Sequence, residues 1–171
     1  MKKQKLISLV FNLINDSNYF LLEAEKLDAK NISKKERLIR ASILTAWAGF
    51  EGWINKTAFD FAQSMSHLSE VERGVLMEKR VELKNGKFLL TNNDKYESTE
   101  NKMEFLVTTV AGRVFDKSNK YWKDFKEIKK IRDSIVHPKM NHRTSFNETH
   151  ARMTISTLRY YQKLLSKKLY K

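Results

Sequence analysis

The sequence predicts an all-α protein, an up-and-down bundle of about five to six helices with a short β-hairpin at 81–90. Three observations carry that prediction. Apolar residues recur at steps of three and four along most of the chain, Ser-x-x-Glu pairs mark helix starts at three places, and one period-two stretch flanks an Asn-Gly dipeptide.

Taken in order, Leu6, Val10, Leu13, Ser17, Phe20, Ala24 and Leu27 fall on one stripe, so a first long helix is expected from Lys3 to Ala29. Ser33 with Glu36 reads as a capping box, in which each side chain satisfies an amide that the helix start leaves without a partner. The helix it opens carries Ile43, Trp47, Phe50, Ile54, Ala58, Phe61 and Met65 along one side. Gly49 and Gly52 flank that stripe and give room for another helix to come close. Ser69 with Glu72 repeats the capping signal and opens a shorter helix through Val71, Val75 and Leu76, ending near Lys79.

Val81 and Leu83, then Asn85-Gly86, then Phe88 and Leu90 match strand, turn and strand, because Asn-Gly tolerates the positive φ angles of a two-residue hairpin turn. The competing reading is a helix that runs on and frays at Gly86. Asn92 to Thr99 is a polar loop, Met103, Leu106, Val107 and Val110 indicate another helix, and Lys117 to Lys120 is a second polar break. The next helix turns Phe125, Ile128, Ile131 and Ile135 inward and keeps Lys123, Lys126 and Lys130 on another face. It must end near Pro138, since the residue before a proline is driven out of the helical conformation. Ser145 and Glu148 are read as the cap of a last helix bearing Ala151, Thr154, Leu158, Tyr161 and Leu165.

A length of 171 residues suits one domain spanning 1–171, able to bury a core without disulfide or metal staples. The absence of cysteine excludes disulfides, zinc ribbons and thiol nucleophiles, and the cytoplasm is the expected location. With 33 Lys+Arg against 20 Asp+Glu the formal charge is +13, which points to a polyanionic partner, nucleic acid or an anionic surface. The lysines ahead of Leu6 read as a helix start and not as a signal peptide, because Ser8 and Asn12 interrupt the apolar run. Nothing is long and apolar enough to span a bilayer, so no membrane partner is expected. No His-Glu-x-x-His, glycine-rich phosphate loop or nucleophile elbow occurs, and Glu82-Leu83-Lys84 alone is too short to mark a metal-dependent nuclease, so neither metal nor cofactor is expected.

The chemistry concentrates between Lys130 and Lys139. Arg132 is four residues after Ile128 and three before Ile135, which sets an always-charged guanidinium on the apolar stripe. Such a group needs a partner or a purpose. His137 follows five residues later, about 140° around an ideal helix, so the two share a face only if the helix end bends. Pro138 swings His137 out at the terminus, where an imidazole can pass protons in both directions. Asp133, four residues before His137, is placed to orient the ring if the helix persists. Glu51, between Trp47 and Ile54 at steps of four and three, points to the core and is a candidate partner for Arg132.

Arg, a polar residue, three further residues and His near the end of a helix resembles the motif of the HEPN superfamily of nucleotide-binding and RNA-cleaving helical domains. The matching residues are Arg132, Asp133 and His137, and the helical architecture extends the resemblance over the whole chain. The resemblance implies an endoribonuclease that needs no metal, cuts through attack of the 2′-hydroxyl and acts as a homodimer whose Arg and His pairs meet across the interface. It also implies a toxin or anti-phage effector, with an antitoxin or defence-system protein as partner. Arg132 would grip the scissile phosphate and His137 would handle protons. Some toxins of the superfamily carry a tyrosine two residues after the histidine that a nucleotidyltransferase modifies; here that position is Lys139.

Lys139 and His142 follow closely enough to contact RNA. Trp47, Phe50, Trp53, Phe59 and Phe61 are at helical spacing and read as core and dimer interface in preference to base-stacking platforms. The alternative function is a non-catalytic module of the same superfamily that binds RNA, a nucleotide or a partner protein. There the arginine and histidine serve as an ion pair and a cap.

Overall fold

A computed structural model describes residues 2–112, 114–138 and 145–169. They form six α-helices and one antiparallel hairpin, an all-α architecture with a short β-hairpin. In chain order these are α1 (Lys2–Glu25), a 3-10 turn (Ala29–Asn31), α2 (Ile32–Ser64), α3 (Glu70–Met77), β1 (Lys79–Lys84), β2 (Lys87–Asp94), α4 (Thr99–Ala111), α5 (Lys120–Val136) and α6 (Glu148–Leu169). No described helix is long and apolar enough to cross a membrane. The chain divides into two compact units, one of residues 1–50 and 116–171, the other of residues 51–115, with the division inside α2.

In the first unit α6 packs against both α1 and α5. The expected stripes supply its core: Val10, Ile43, Trp47, Phe50, Phe125, Ile128, Ile131, Ala151, Leu158, Tyr161 and Leu165 are all buried. Phe125, fully buried, is the hub, with ring centroids of Trp47 at 5.3 Å, Trp122 at 5.6 Å, Tyr161 at 6.0 Å and Phe50 at 6.1 Å. Burying one such ring contributes about 1.5–3 kcal/mol, and each favourable ring pair adds about 0.5–1.5 kcal/mol. Gly49 lets α1 and α2 approach, since a Cβ there would sit 3.0 Å from Ile14 Cγ1 and 3.3 Å from the Val10 carbonyl oxygen. Ser42 Oγ donates to the Ser17 carbonyl at 2.7 Å, which links the same two helices.

Two helix starts differ from expectation. The 3-10 turn runs directly into α2, so the cap moves upstream of Ser33 to Asp28, whose carboxylate accepts from Lys30 N at 3.1 Å. At α6, Asn147 and not Ser145 is the cap: Asn147 Oδ1 accepts from His150 N, and Asn147 N donates back to His150 Nδ1, both at 3.2 Å. A histidine thus does the work of the usual capping-box glutamate, and Glu148 is left to pair with Lys35.

In the second unit the Ser69 and Glu72 capping box is present in both directions. Arg73 then closes the preceding helix by donating to the carbonyls of Ala62 and Met65 at 2.7 Å and of Leu68 at 3.3 Å. α3 ends at Glu78 in the left-handed conformation, and the hairpin follows at once, longer than the 81–90 expected. Asn85 (φ 53°) and Gly86 (φ 75°) form its turn, and Val81 and Leu83 stand opposite Leu90 and Phe88. Gly74 admits β1 against α3, where a Cβ would meet Val81 Cγ2 at 2.5 Å. Lys102 on α4 is 1% exposed, with its ammonium 2.6 Å from Glu78 and 2.7 Å from Asn55 Oδ1.

Candidate functional site

α5 starts at Asn119, whose side chain accepts from Tyr121 N, and buries Trp122, Phe125, Ile128 and Ile131 on one face. That face fixes the rotation of the helix and with it the direction of every polar group on it. Arg132, one step past Ile131, lies at the margin of the core with its side chain 23% exposed. Its contacts include a ring and a carboxylate. Its guanidinium carbon is 5.1 Å from the Trp47 ring centroid, and Nη1 donates to Asp133 Oδ1 at 2.7 Å. Trp47 is 3% exposed, and its Nε1 has no hydrogen-bond partner among the described residues.

The helix is regular through Val136. His137 is its C-cap, with φ −124° and ψ 68°, and its N–H still donates to the Asp133 carbonyl at 2.8 Å. The bend that Pro138 imposes therefore comes at His137 and not before it. On an ideal helix the five-residue step from Arg132 is about 140°, and His137 itself departs from helical φ and ψ. His137 is exposed, seven residues after Lys130, and Lys123, Lys126 and Lys130 on the preceding helix are exposed as well. Lys126 lies 5.7 Å over the Trp122 ring, and Lys130 is 3.6 Å from Glu127.

Asp133 was placed by spacing to orient the imidazole; its carboxylate is instead on Arg132, and only its main-chain carbonyl meets His137. Glu51 belongs to the second unit, where it accepts from Thr99 Oγ1 at 3.0 Å at the start of α4. Lys139 and His142 lie outside the described residues. Trp47, expected as core, is also the platform for Arg132, a relation between α2 and α5 that no local pattern encodes. Lys102, not among the residues singled out from the sequence, carries the same signal as Arg132: it stands four residues before Leu106 on the apolar stripe of α4.

Tyr161, packed against Phe125, is no candidate base: burial first, and then Tyr160, push its hydroxyl well above the usual phenol range. No group of three or more His, Asp or Glu gathers to hold a metal ion among the described residues. The site offers a fixed guanidinium, an exposed imidazole and a row of ammonium groups. These can neutralise a phosphate, exchange protons and align a polyanion. No protein-family model, curated protein or solved structure matches the chain.

Proposed function

We propose that the protein is an endoribonuclease of HEPN type that cleaves RNA without a metal, through attack of the 2′-hydroxyl on the adjacent phosphate, and that it serves as a toxin or phage-defence effector. The observation that carries the reading is the end of α5, where an oriented guanidinium and an exposed imidazole stand within two turns and the exposed Lys126 and Lys130 precede the imidazole on the same helix, in a chain of charge +13. In this reaction the 2′-oxygen forms the new bond to phosphorus and loses its proton to a base. The bond to the 5′-oxygen breaks, and that oxygen takes a proton from an acid. Arg132 holds the charge that develops on the phosphate, and His137 carries the protons.

Because Arg132 is held against Trp47 at the core margin while His137 is exposed at the helix end, the reading places the pair together across a homodimer, with the arginine of one copy beside the histidine of the other. Phe11, Tyr19 and Leu22, at 59%, 58% and 56% exposure, give α1 an apolar solvent face for such contact. The aromatic residues Trp47, Phe50 and Phe61 of α2 are used up in the core. Light scattering at micromolar concentration should report a dimer, and an active monomer would rule out the shared site.

Cleavage of a fluorescent RNA in excess chelator tests the chemistry. Wild-type protein should cut it and should fail on the same sequence with a 2′-deoxy sugar at the cleaved position. His137→Ala should nearly abolish cutting with an unchanged helical spectrum. Cleavage that vanishes with chelator, or survives in His137→Ala, would overturn the proposal. A second reading, a non-catalytic binding module, is favoured by one contact: Asp133 already neutralises part of the Arg132 charge. It predicts RNA binding without cleavage.

A further inference from the structure

Between α3 and the hairpin, wholly within the second unit, lies a groove of about 480 Å³. Its floor is Val71, Val75, Val81 and Phe88, and Arg80 and Lys95 stand in its wall. The floor is open to solvent, with Val71 47% and Phe88 56% exposed. Leu83, paired across the hairpin with Phe88 and 64% exposed, continues the apolar face beyond α3 toward the turn. The volume falls in the range of roughly 300–1,000 Å³ in which proteins hold ligands and anchoring side chains.

The charges of the groove do not cancel. Lys79 also lines it but pairs with Asp94, and the Glu97 carboxylate, held by Ser98 N and Asn101 Nδ2, keeps its charge, so Arg80 and Lys95 leave the lining net positive. Arg80 and Lys95 are exposed and have no ion-pair partner among the described residues. The pairing is irregular between Lys79 and Val81, where β2 runs from Asp94 to Leu90 and so carries the extra residues, and Arg80 and Val81 both line the groove.

We propose that this groove docks an acidic segment of another protein, with leucine or phenylalanine side chains seated on Val71, Val75, Val81 and Phe88 and carboxylates on Arg80 and Lys95. A second copy of the chain is a poor occupant, because its +13 charge would meet the same uncompensated cations. RNA is a poor occupant because bases seek planar faces on which to stack, and three of the four floor residues are valines, which offer none. The inference stands whether or not RNA is cut.

Three fluorescein-labelled probes test it by polarisation at moderate salt: a peptide alternating Glu with Leu, one alternating Lys with Leu, and oligouridylate. The variants are Phe88→Ser and the double change Arg80→Gln with Lys95→Gln, all at exposed positions, with circular dichroism as the check on folding. The Glu-Leu peptide should bind and should lose about tenfold in affinity in each variant, while the Lys-Leu peptide should not bind. Oligouridylate should be indifferent to the variants. Failure of the Glu-Leu peptide to bind, its equal binding by folded variants, or loss of oligouridylate binding in those variants would overturn the proposal.

Discussion

Replacing Arg132 by lysine and by alanine separates what the guanidinium does for folding from what it does for chemistry. The alanine variant loses two methylenes of a side chain that is 23% exposed, worth about 1–1.5 kcal/mol at roughly 0.8 kcal/mol per buried methylene. It also loses the stack on Trp47 at 5.1 Å, about 0.5–1 kcal/mol. The Asp133 pair adds at most about 1 kcal/mol, since that carboxylate is 44% exposed and solvent screens it. Together Arg132→Ala should destabilise by about 2–3 kcal/mol. Lysine keeps the stem and the charge and loses the planar fork, so Arg132→Lys should cost about 1 kcal/mol or less. The two should diverge little in rate, because a point charge cannot bind two phosphate oxygens in parallel; each should cut at least about a hundredfold more slowly than wild type. Urea unfolding measures the first effect and single-turnover RNA cleavage in chelator the second. A lysine variant within about tenfold of the wild-type rate would refute the assignment of oriented donors to Arg132. An alanine variant less than about 1 kcal/mol destabilised would refute the packing argument.

Four further outcomes follow from other parts of the structure. Lys102→Met preserves volume but strands Glu78 and Asn55, and should lower the urea midpoint by the equivalent of about 2–4 kcal/mol, the one-third exposure of Glu78 keeping it below the full cost of a broken buried pair. Gly74→Ala should destabilise by a net of about 1–2 kcal/mol, since a methyl 2.5 Å from Val81 Cγ2 costs more than the helix propensity it gains; an unchanged or higher Tm would show that the hairpin yields freely. Ser69→Ala should cost about 1 kcal/mol by thermal unfolding, through loss of the capping box. On acidification, Glu72 is held below the ordinary carboxylate range by Ser69, Asp116 by Ser118 and Glu148 by Lys35. Because their folded values are depressed, the stability they contribute is present above the unfolded carboxylate range and is lost as pH falls through the folded values. Tm should therefore be flat down to about pH 5 and fall below it, and a Tm that rises between about pH 5 and 3 would contradict these contacts.

Local pattern alone determined the helices, the hairpin and the candidate residues, because steps of three and four, an Asn-Gly turn and a proline stop act over a few residues of backbone. Val10, Ile43, Trp47, Phe50, Phe125, Leu158 and Leu165 were readable as core for that reason, and all are buried. Caps were less legible: Asp28 and Asn147 displaced Ser33 and Ser145, since several residues near a helix start can accept the same free amides and neighbouring turns choose among them. Relations between distant residues were decided only by tertiary structure. That Arg132 lies on Trp47 depends on how α2 and α5 meet, and that Asp133 serves Arg132 and not His137 depends on where the guanidinium is drawn by that contact. The groove beside α3 likewise depends on Gly74 admitting Val81, and Arg80 and Lys95 in its lining have no ion-pair partner among the described residues. A periodic pattern specifies which face a residue occupies, but the partner on that face is set by packing between segments far apart in the chain.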